Sequence, residues 1–389
     1  MSRTMAAVAG DFGFELPVDW NASRLLWDNL KDRAHRPAYF YQEEVWTYAK
    51  LAEEASRIGS HLSNLGCQPG NRVLLVLDDT PTYPAAIMGC LRAGLVPILI
   101  NTLSPAEMVH YFLKDSEATA SIIEEDFKDL FPADALETTD CKRLVIADER
   151  PWAAASADLE EHPVKRDDMA FWMYSSGSTG KPKGVVHDHE DAAYACDTFG
   201  AHILDIGPDD ICFSVPKIFF AYGFGNSVLF PMRVGASTIL LSGRPTSDRV
   251  IETISTLKPT MLFALPTVYS TLVNSPDFET ADMSSVRMFL SAAEVLSEEL
   301  ANIWKSKFGK PIIEGLGSTE MTHIYLSNTS ELQKPGAAGK PVTGYEVRLI
   351  APDGTEVQDG GEGVMEVIGL SRADYYWNRP EKTAESMKG

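Results

Sequence analysis

The sequence contains few cysteines and no apolar run long enough to cross a bilayer. Its five cysteines are widely spaced and include no CxxC pair, which argues against a disulfide framework or a cysteine-ligated metal site. The longest apolar stretch, residues 84–100, is interrupted by Arg92, Gly94 and Pro97, whereas a membrane span needs about 18 to 20 apolar residues. The N-terminus lacks the apolar segment of a secretion signal. These absences predict a soluble, cytoplasmic protein with reduced thiols.

Basic residues are scarce beside acidic ones. The 34 Lys and Arg against 55 Asp and Glu give a net charge of −21 at pH 7. Such a surface repels phosphate backbones and anionic lipid, so neither a nucleic-acid partner nor a membrane partner is expected. The G-x-S-x-G elbow of serine hydrolases is also absent. Any anionic ligand must therefore be held by local donors that act against the overall charge.

Short apolar runs alternate with amphipathic stretches along most of the 389 residues. Near-continuous apolarity in such runs is typical of parallel strands covered by helices on both faces. The predicted strands are 72–77, 95–100, 119–123, 143–147 and 169–174 in a first series, and 211–215, 237–241, 260–265, 286–291 and 311–314 in a second. After residue 335 the pattern alternates, with strands at 345–349 and 363–368 around a turn, which predicts antiparallel pairing.

The most informative stretch is YSSGSTGKPKGVVH, residues 174–187, which follows a predicted buried strand. Glycines let backbone N–H groups approach an anion closely, and hydroxyls and lysines add donors and charge, which suits a polyphosphate. The candidate phosphate-binding residues are Ser175, Ser176, Gly177, Ser178, Thr179, Gly180, Lys181 and Lys183. The spacing excludes a Walker A loop. The alternative is a flexible, solvated loop, which this density of hydroxyls disfavours.

The stretch resembles the phosphate-binding signature of the adenylate-forming superfamily, which includes acyl-CoA ligases, luciferases and the adenylation domains of peptide synthetases. Other motifs of that superfamily follow in order: SAAEVL at 291–296, EGLGSTEMTH at 314–323, GEGVMEV at 361–367 and YWNRPEKT at 376–383. The resemblance covers essentially the whole chain. It implies two stacked, mostly parallel α/β subdomains, about 55–190 and 191–330 with part of 15–54, and a small antiparallel β subdomain (a distorted barrel), 335–389.

The resemblance also assigns residues to the nucleotide. Those on the adenine side are Ala292, Ala293, Glu294, Glu314, Gly315 and Leu316. Thr319 is expected to donate a hydrogen bond to the α-phosphate, and Glu320 to supply a hard oxygen ligand for Mg²⁺, so both are candidate catalytic residues. The alternative is that 318–320 only caps a helix. The superfamily commonly has Gly at position 293, so the methyl group of Ala293 narrows the adenine slot and weakens the assignment of Glu294.

The segment KIFFAYGFGN, residues 217–226, resembles the acid pocket of benzoate-type CoA ligases. In that subgroup the residues that match Ala221, Tyr222, Gly223, Gly317 and His323 border the acid substrate. If 320–323 is helical, His323 and Glu320 share a face. The alternative is an ordinary aromatic core cluster around three phenylalanines, Phe219, Phe220 and Phe224.

The run HDHED, residues 187–191, could suggest a metal site. Alternating residues on a helix cannot all face one ion, so a solvated start of a helix is predicted instead. Relatives in the superfamily continue past the YWNRPEKT motif into a small mobile lid that carries the catalytic lysine. This chain stops at Gly389, so the lid is expected to be missing and the isolated chain to be weakly active.

Together these features predict an ATP-dependent acid–CoA ligase that activates benzoate or a substituted or cyclic relative. The expected ligands are ATP, Mg²⁺, coenzyme A as a substrate, and an aromatic or cyclic carboxylate. An adenylation domain that loads a carrier-protein thiol and a non-catalytic ligand-binding remnant stay open as alternatives. The sequence also leaves a homodimer open.

Overall fold

The computed structural model describes residues 13–131, 134–176, 180–358 and 360–388. Two large sheets dominate this part of the chain, and helices cover their faces. No helix within the described ranges is long and apolar enough to cross a membrane.

The first sheet is parallel at its centre and antiparallel at one edge. Within the described ranges its strands in spatial order are β18 (Tyr375–Tyr376), β8 (Lys183–Asp188), β7 (Met169–Ser175), β4 (Val96–Leu99), β3 (Arg72–Val76), β5 (Ala120–Ile123) and β6 (Arg143–Ile146). Strands β4 and β5 are buried along their whole length, as are all but the first residue of β3. Burial on both faces explains the unbroken apolar runs in the sequence.

The second sheet contains strands from both ends of the described chain. In spatial order these are β15 (Lys340–Pro341), β14 (Ile324–Ser327), β13 (Ile312–Gly317), β12 (Met288–Ser291), β11 (Met261–Ala264), β9 (Ile211–Ser214), β10 (Ser237–Leu240), β1 (Pro37–Tyr41) and β2 (Glu44–Thr47). From β13 to β1 the neighbours are parallel, and the two edges are antiparallel. A separate antiparallel pair is formed by β16 (Glu346–Ile350) and β17 (Val364–Ile368).

Helices occupy most of the connections between the strands. The α-helices are α1 (Arg24–Trp27), α2 (Tyr48–Asn64), α3 (Thr82–Arg92), α4 (Ala106–Ser116), α5 (Ala135–Thr138), α6 (His189–Ala195), α7 (Ala221–Phe224), α8 (Phe230–Val234), α9 (Ser247–Leu257), α10 (Pro266–Val273), α11 (Glu298–Phe308) and α12 (Pro380–Ser386). The 3₁₀ segments are Asp28–Leu30, Glu125–Leu130, Pro276–Thr280 and Thr319–Met321, and the π segments are Cys196–Leu204 and Gly225–Leu229. The fold class, two mostly parallel sheets with helices and a small antiparallel element, is confirmed.

The last strand returns to the first sheet. Tyr375 and Tyr376 of β18 pair antiparallel with Val186 and Val185 of β8. The start of the YWNRPEKT motif therefore lies against the strand that follows the glycine-rich stretch, in a different sheet from the β16–β17 pair. This return brings Tyr376 to the candidate site.

Helices α2 and α3 approach each other closely where they cross, and a glycine of each helix lies at the crossing. A Cβ added to Gly89 would lie 2.3 Å from the Ala55 carbonyl oxygen, and one added to Gly59 would lie 2.6 Å from the Gly89 carbonyl oxygen. Both neighbours are backbone atoms of helices and cannot rotate away. The crossing therefore requires glycine at both positions.

We expect Gly89→Ala to lower the free energy of unfolding by about 2 to 4 kcal/mol, because the added methyl group separates two packed helices. Alanine is the better helix former by about 1 kcal/mol, so propensity alone predicts the opposite sign. Denaturant unfolding measures the difference. Gly207→Ala is the control, since the nearest atom to its added Cβ lies 4.0 Å away. Equal stability of the two variants would contradict the close-crossing argument.

Candidate active site

The glycine-rich loop, residues 175–183, is the turn between the paired strands β7 and β8. Ser175 pairs with Lys183 across the hairpin, so both ends of the loop are fixed by the sheet. Ser176, Gly180 and Lys181 are exposed on the loop. Gly177, Ser178 and Thr179 lie outside the described residues. The described part of the loop, with its two lysines, therefore lies where β7 ends and β8 begins.

The two lysines of the loop lie over aromatic rings. Lys181 Nζ is 4.9 Å from the ring centroid of Tyr111, and Lys183 Nζ is 4.0 Å from that of Tyr376. Neither lysine forms a salt bridge with any residue that the structure describes. In a chain with a net charge of −21, they remain as uncompensated cations for an anionic ligand.

A network of side chains fixes the outer end of the loop. The Tyr111 hydroxyl donates to the Pro182 carbonyl at 2.8 Å, and the Tyr174 hydroxyl donates to Asp115 Oδ2 at 3.0 Å. Arg379 donates to Asp115 Oδ1 at 2.7 Å. The carboxylate of Asp115 thus joins α4, β7 and the segment before α12 around one end of the loop.

Glu320 lies directly beside the start of the loop. Its Oε1 accepts hydrogen bonds from Ser175 Oγ at 3.0 Å and from the Tyr376 hydroxyl at 2.9 Å. Its backbone carbonyl accepts from the Ala373 N–H at 2.7 Å. The resemblance implied that Glu320 and the loop act on one polyphosphate, and the structure places them in hydrogen-bond contact.

Glu320 fits a role at a magnesium ion that is held mainly by phosphates. Among the described residues Oε2 has no hydrogen-bond partner, so a hard oxygen is available there. No group of three His, Cys, Asp or Glu side chains able to hold a metal ion occurs in the part of the chain that the structure describes. This is the pattern expected where one carboxylate assists an ion that keeps its water and phosphate ligands.

The segment that carries Thr319 and Glu320 is a single 3₁₀ turn, Thr319–Met321, without a side-chain cap. Thr322 follows with φ +66°, and β14 begins at Ile324. The helix needed to put His323 on the same face as Glu320 is therefore not formed. His323 points instead to the opposite side of the turn, where it contacts α7 and its neighbours.

The adenine-side residues divide into two groups. Ala293 and Glu294 are exposed after β12, and Ala293 has φ +73°, the left-handed region where superfamily members commonly have Gly. Glu294 accepts from the Thr267 N–H at 3.2 Å. Glu314 is buried, and its carboxylate accepts from the N–H groups of Leu296 at 3.0 Å and Gly336 at 3.2 Å. Glu314 therefore holds the segments around Leu296 and Gly336 in place through hydrogen bonds to their backbone.

A cavity of about 280 Å³ joins the acid-pocket residues to the Thr319 turn. Of the sequence candidates it is lined by Ala221, Tyr222, Ala292, Ala293, Gly317, Thr319 and His323, together with Pro216, Phe220, Leu265, Ser318 and Ile324. Gly223 does not line it; a Cβ there would lie 2.0 Å from the Lys217 carbonyl oxygen, so this glycine permits a tight turn. Gly317 also packs closely, with its added Cβ 2.4 Å from the His323 carbonyl oxygen.

His323 closes the inner end of the cavity as a neutral side chain. It is 2% exposed, and burial lowers the pKa of its imidazole to about 3. Its Nε2 lies 3.3 Å from the Tyr222 carbonyl oxygen, which can only accept, so Nε2 carries the proton. The rings of Phe199, Phe230 and Tyr222 surround it at 5.1, 4.6 and 5.4 Å. This wall is apolar and aromatic at neutral pH.

The three phenylalanines of the alternative core cluster have different environments. Phe219 and Phe224 are buried in the core, whereas Phe220 is 49% exposed and lines the cavity. The core interpretation thus holds for two of them, and the third lies at the entrance of the cavity.

The comparisons with known proteins agree with this geometry. The family model described as AMP-binding enzyme matches residues 26–377. The chain belongs to this family. It is 38% identical to a benzoate–CoA ligase of Thauera aromatica over 386 residues, which are 96% of this chain and 73% of that protein.

Two solved structures extend the comparison. An anthranilate CoA ligase, AuaEII, in complex with anthranoyl-AMP superposes with a TM-score of 0.93 at 33% identity, over 96% of this chain and 73% of that one. The inhibitor-bound N-terminal domain of FACL13 from Mycobacterium tuberculosis superposes with a TM-score of 0.87 at 26% identity, over 94% of this chain and 93% of that one.

In this AMP-binding enzyme the HDHED run ends β8 at Asp188 and, as predicted, contains the start of a helix, α6 at His189, with Asp188 and Asp191 forming a capping box. The prediction that this start is solvated is wrong, because all five residues are buried. His189 Nδ1 accepts from the Ala22 N–H at 3.0 Å, and Glu190 pairs with Arg166 at 3.1 Å. The N-terminal segment covers the run, and no pattern within the run predicts that it will be buried.

The acid-pocket segment is joined to the first sheet by an acidic pair after β3. Asp79 is 2% exposed, and its Oδ1 accepts from the Ile218 N–H at 3.0 Å. Lys217 Nζ donates to Asp78 Oδ1 and to the Leu241 carbonyl, both at 2.7 Å. Sequence reasoning missed this pair, as it missed Tyr376, because each contact joins residues from different sheets.

Asp79 makes the stability of the AMP-binding enzyme depend on pH. Burial raises the pKa of its carboxyl to about 7, against about 3.9 in an unfolded chain. Between these values the folded state binds the extra proton, so stability falls as pH rises from 4 to 7. We expect Asp79→Asn, which keeps an acceptor for Ile218, to gain about 2 to 3 kcal/mol relative to wild type between pH 5 and pH 8.

Denaturant unfolding of both proteins at the two pH values measures this change. The exposed Asp129→Asn serves as the control and should follow the wild-type pH dependence. A constant difference between wild type and Asp79→Asn across this pH range would show that Asp79 does not take up a proton there.

Proposed function

We propose that this chain is the large domain of an ATP-dependent acid–CoA ligase that activates benzoate, or a ring-substituted or cyclic relative, through an acyl-adenylate. The observation that carries the proposal is the shared cavity. One wall is the aromatic pocket of Tyr222 and His323, and the other includes Thr319 beside the glycine-rich loop. A carboxylate bound by its ring in this cavity would meet the α-phosphate of a nucleotide held at the Thr319 turn.

The chemistry follows from this placement. The carboxylate oxygen attacks the α-phosphorus and forms an acyl–phosphate bond, while the bond to the β,γ-phosphates breaks and pyrophosphate leaves. The loop cations, Lys181 and Lys183, face the charge of the leaving group, and Thr319 offers a hydrogen-bond donor to the charge on the α-phosphate. A magnesium ion near Glu320 would neutralise phosphate charge. A thiol, proposed to be that of coenzyme A, then attacks the acyl carbon; the thioester bond forms, the acyl–phosphate bond breaks and AMP leaves.

The size and lining of the cavity favour a flat ring. A dry cavity of about 150 Å³ accepts benzene, so about 280 Å³ leaves room for a ring with a carboxylate and a small substituent. No charged side chain is among the residues that line it, and the imidazole of His323 is neutral. The benzoate and anthranilate ligases among its relatives act on acids of this kind.

The proposed domain organisation is one N-terminal adenylation domain over residues 1–389 with subdomains near 55–190, 191–330 (with part of 15–54) and 335–389. It is supported by the solved N-terminal domain of FACL13, which this chain matches over most of both lengths. Five buried free cysteines support a reducing, cytoplasmic location.

A titration of this chain with four acids tests the proposal. We expect benzoate and 4-hydroxybenzoate to bind at least tenfold more tightly than hexanoate, with cyclohexanecarboxylate between them, because the aromatic wall contacts a flat ring over its whole face. Isothermal calorimetry with and without Mg²⁺-ATP measures the affinities. Formation of the acyl-adenylate is then followed by benzoate-dependent exchange of pyrophosphate into ATP.

Two results would contradict separate parts of the proposal. Tighter binding of hexanoate would exclude an aromatic acid as the preferred substrate and leave the adenylation chemistry in place. Binding of benzoate without any binding of ATP or of a non-hydrolysable benzoyl-adenylate would contradict the adenylation itself.

Glu320→Gln is expected to weaken Mg²⁺-ATP binding at least tenfold and to change benzoate binding by less than twofold. Glutamine keeps an acceptor for Ser175 and Tyr376 but loses the charge that favours a bound cation. Calorimetric titration with each ligand measures both affinities. Glu331→Gln, at an exposed position, is the matched control. Equal losses for ATP and benzoate would contradict the role of Glu320.

A further inference from the structure

His187 and Asp191 form a buried pair directly behind the Thr319 turn. Both side chains are fully buried, and Nδ1 of His187 lies 2.8 Å from Oδ2 of Asp191. The other ring nitrogen, Nε2, lies 2.8 Å from the carbonyl oxygen of Thr319. The ring stacks on Phe171 with centroids 5.2 Å apart and planes 18° apart. One side chain of the first sheet thus contacts the backbone of the turn in the second.

The partners of the ring define its protonation. The Thr319 carbonyl can only accept, so Nε2 carries a proton. Nδ1 faces the Asp191 carboxylate, which also accepts from the Asp188 N–H at 3.3 Å. The Thr322 hydroxyl, 3.2 Å from Nδ1, donates to the Ser371 carbonyl at 3.0 Å and so presents a lone pair to the ring. The Nε2–H group is therefore the donor to the turn, and Asp191 holds the opposite side of the ring.

The contact falls at the point where the turn needs support. Thr319–Met321 is one 3₁₀ turn, and the next residue, Thr322, has φ +66°, a conformation that costs non-glycine residues energy. The Thr319 carbonyl also accepts from the Thr322 N–H at 3.1 Å. His187 therefore supplies the only contact from a titratable side chain to this carbonyl among the described residues. Without it, the peptide that presents Thr319 and Glu320 has a weaker constraint.

We infer that His187, held in place by Asp191, is a positioning residue that fixes the Thr319 turn for the acyl-adenylate. The inference rests on the proposed adenylation at this turn. The ring is not among the residues that line the cavity; it acts through the Thr319 carbonyl. Loss of its donor should therefore affect ligands that reach the turn, and spare the ring of the acid in its aromatic pocket.

The same run contains a matched control. His189 is also buried, and it lies two residues further along the chain. Its Nδ1 accepts from the Ala22 N–H at 3.0 Å, and burial lowers the pKa of its imidazole to about 3, so it is neutral. His189 joins α6 to the N-terminal segment and has no contact with the turn. Substitutions at both positions perturb the same buried region, and only one removes the contact with Thr319.

The test compares His187→Phe, His189→Phe and Asp191→Asn with wild type in this chain. We expect His187→Phe to weaken binding of a non-hydrolysable benzoyl-adenylate roughly 10- to 100-fold and benzoate binding by less than threefold, because phenylalanine keeps the stacking but removes the donor to the Thr319 carbonyl. His189→Phe should reduce the two affinities equally or leave both unchanged. Asp191→Asn should resemble His187→Phe, with a smaller loss.

Nuclear magnetic resonance of histidine-¹⁵N-labelled wild type is the second measurement, and it does not depend on the folding of a variant. A proton on Nε2 of His187 that is donated to a buried carbonyl exchanges slowly with water, and we expect its signal in the wild type. A His187 ring without a proton on Nε2, or equal loss of adenylate affinity in the two phenylalanine variants, would overturn the inference. If wild type does not bind the adenylate, the proposed function fails, and the resonance signals still decide the state of His187.

Discussion

The site depends on one contact between the two large sheets, where the β7–β8 hairpin meets the turn after β13. Ser175 and Tyr376 of the first sheet donate to the carboxylate of Glu320, and His187 of the same sheet donates to the Thr319 carbonyl. A nucleotide that spans the glycine-rich loop and the Thr319 turn would need both parts at a fixed separation. Hydrogen bonds to charged groups are stronger than those between neutral groups. The two bonds to the Glu320 carboxylate therefore suit a junction whose two sides must keep a fixed separation.

The charge of the chain makes local donors necessary. A protein with a net charge of −21 repels a polyphosphate at long range. The loop offsets this with two lysines that have no acidic partner among the described residues and lie over tyrosine rings. Asp115 could have neutralised the charge of these lysines, but its carboxylate already accepts hydrogen bonds from Arg379 and Tyr174. Asp115 is therefore engaged, and the cations remain available.

Much of the fold could be predicted because buried parallel strands have a direct signature. Runs such as 72–77 and 95–100 are apolar on both faces, and the strands Arg72–Val76 and Val96–Leu99 lie within them. The loop, Thr319 and Glu320 could be proposed because glycines, hydroxyls and lysines in that order have few other uses. The contacts of Glu320 could not be predicted, because Tyr376 and Glu320 are brought together only by the return of the last strand to the first sheet.

The burial of HDHED shows the limit of local patterns most directly. Two histidines and three acidic residues within five positions indicate a solvated segment, because charged groups are rarely buried unless they are paired. The partners come from outside the run: Thr319 for His187, Ala22 for His189 and Arg166 for Glu190. Pairing is the physical exception to the rule, and the sequence alone does not display a partner such as Thr319 or Ala22, each more than a hundred residues from its histidine.

The cavity has two walls of different origin, and this separates the selection of the acid from the proposed chemistry. The ring wall comes from α7 and its neighbours, which Asp79 and Lys217 join to the first sheet. The other wall is the Thr319 turn, which depends on His187 and the hairpin. Because the two sets of supporting contacts share no residue, side chains at 221, 222 and 323 can vary with the acid while the turn keeps its geometry.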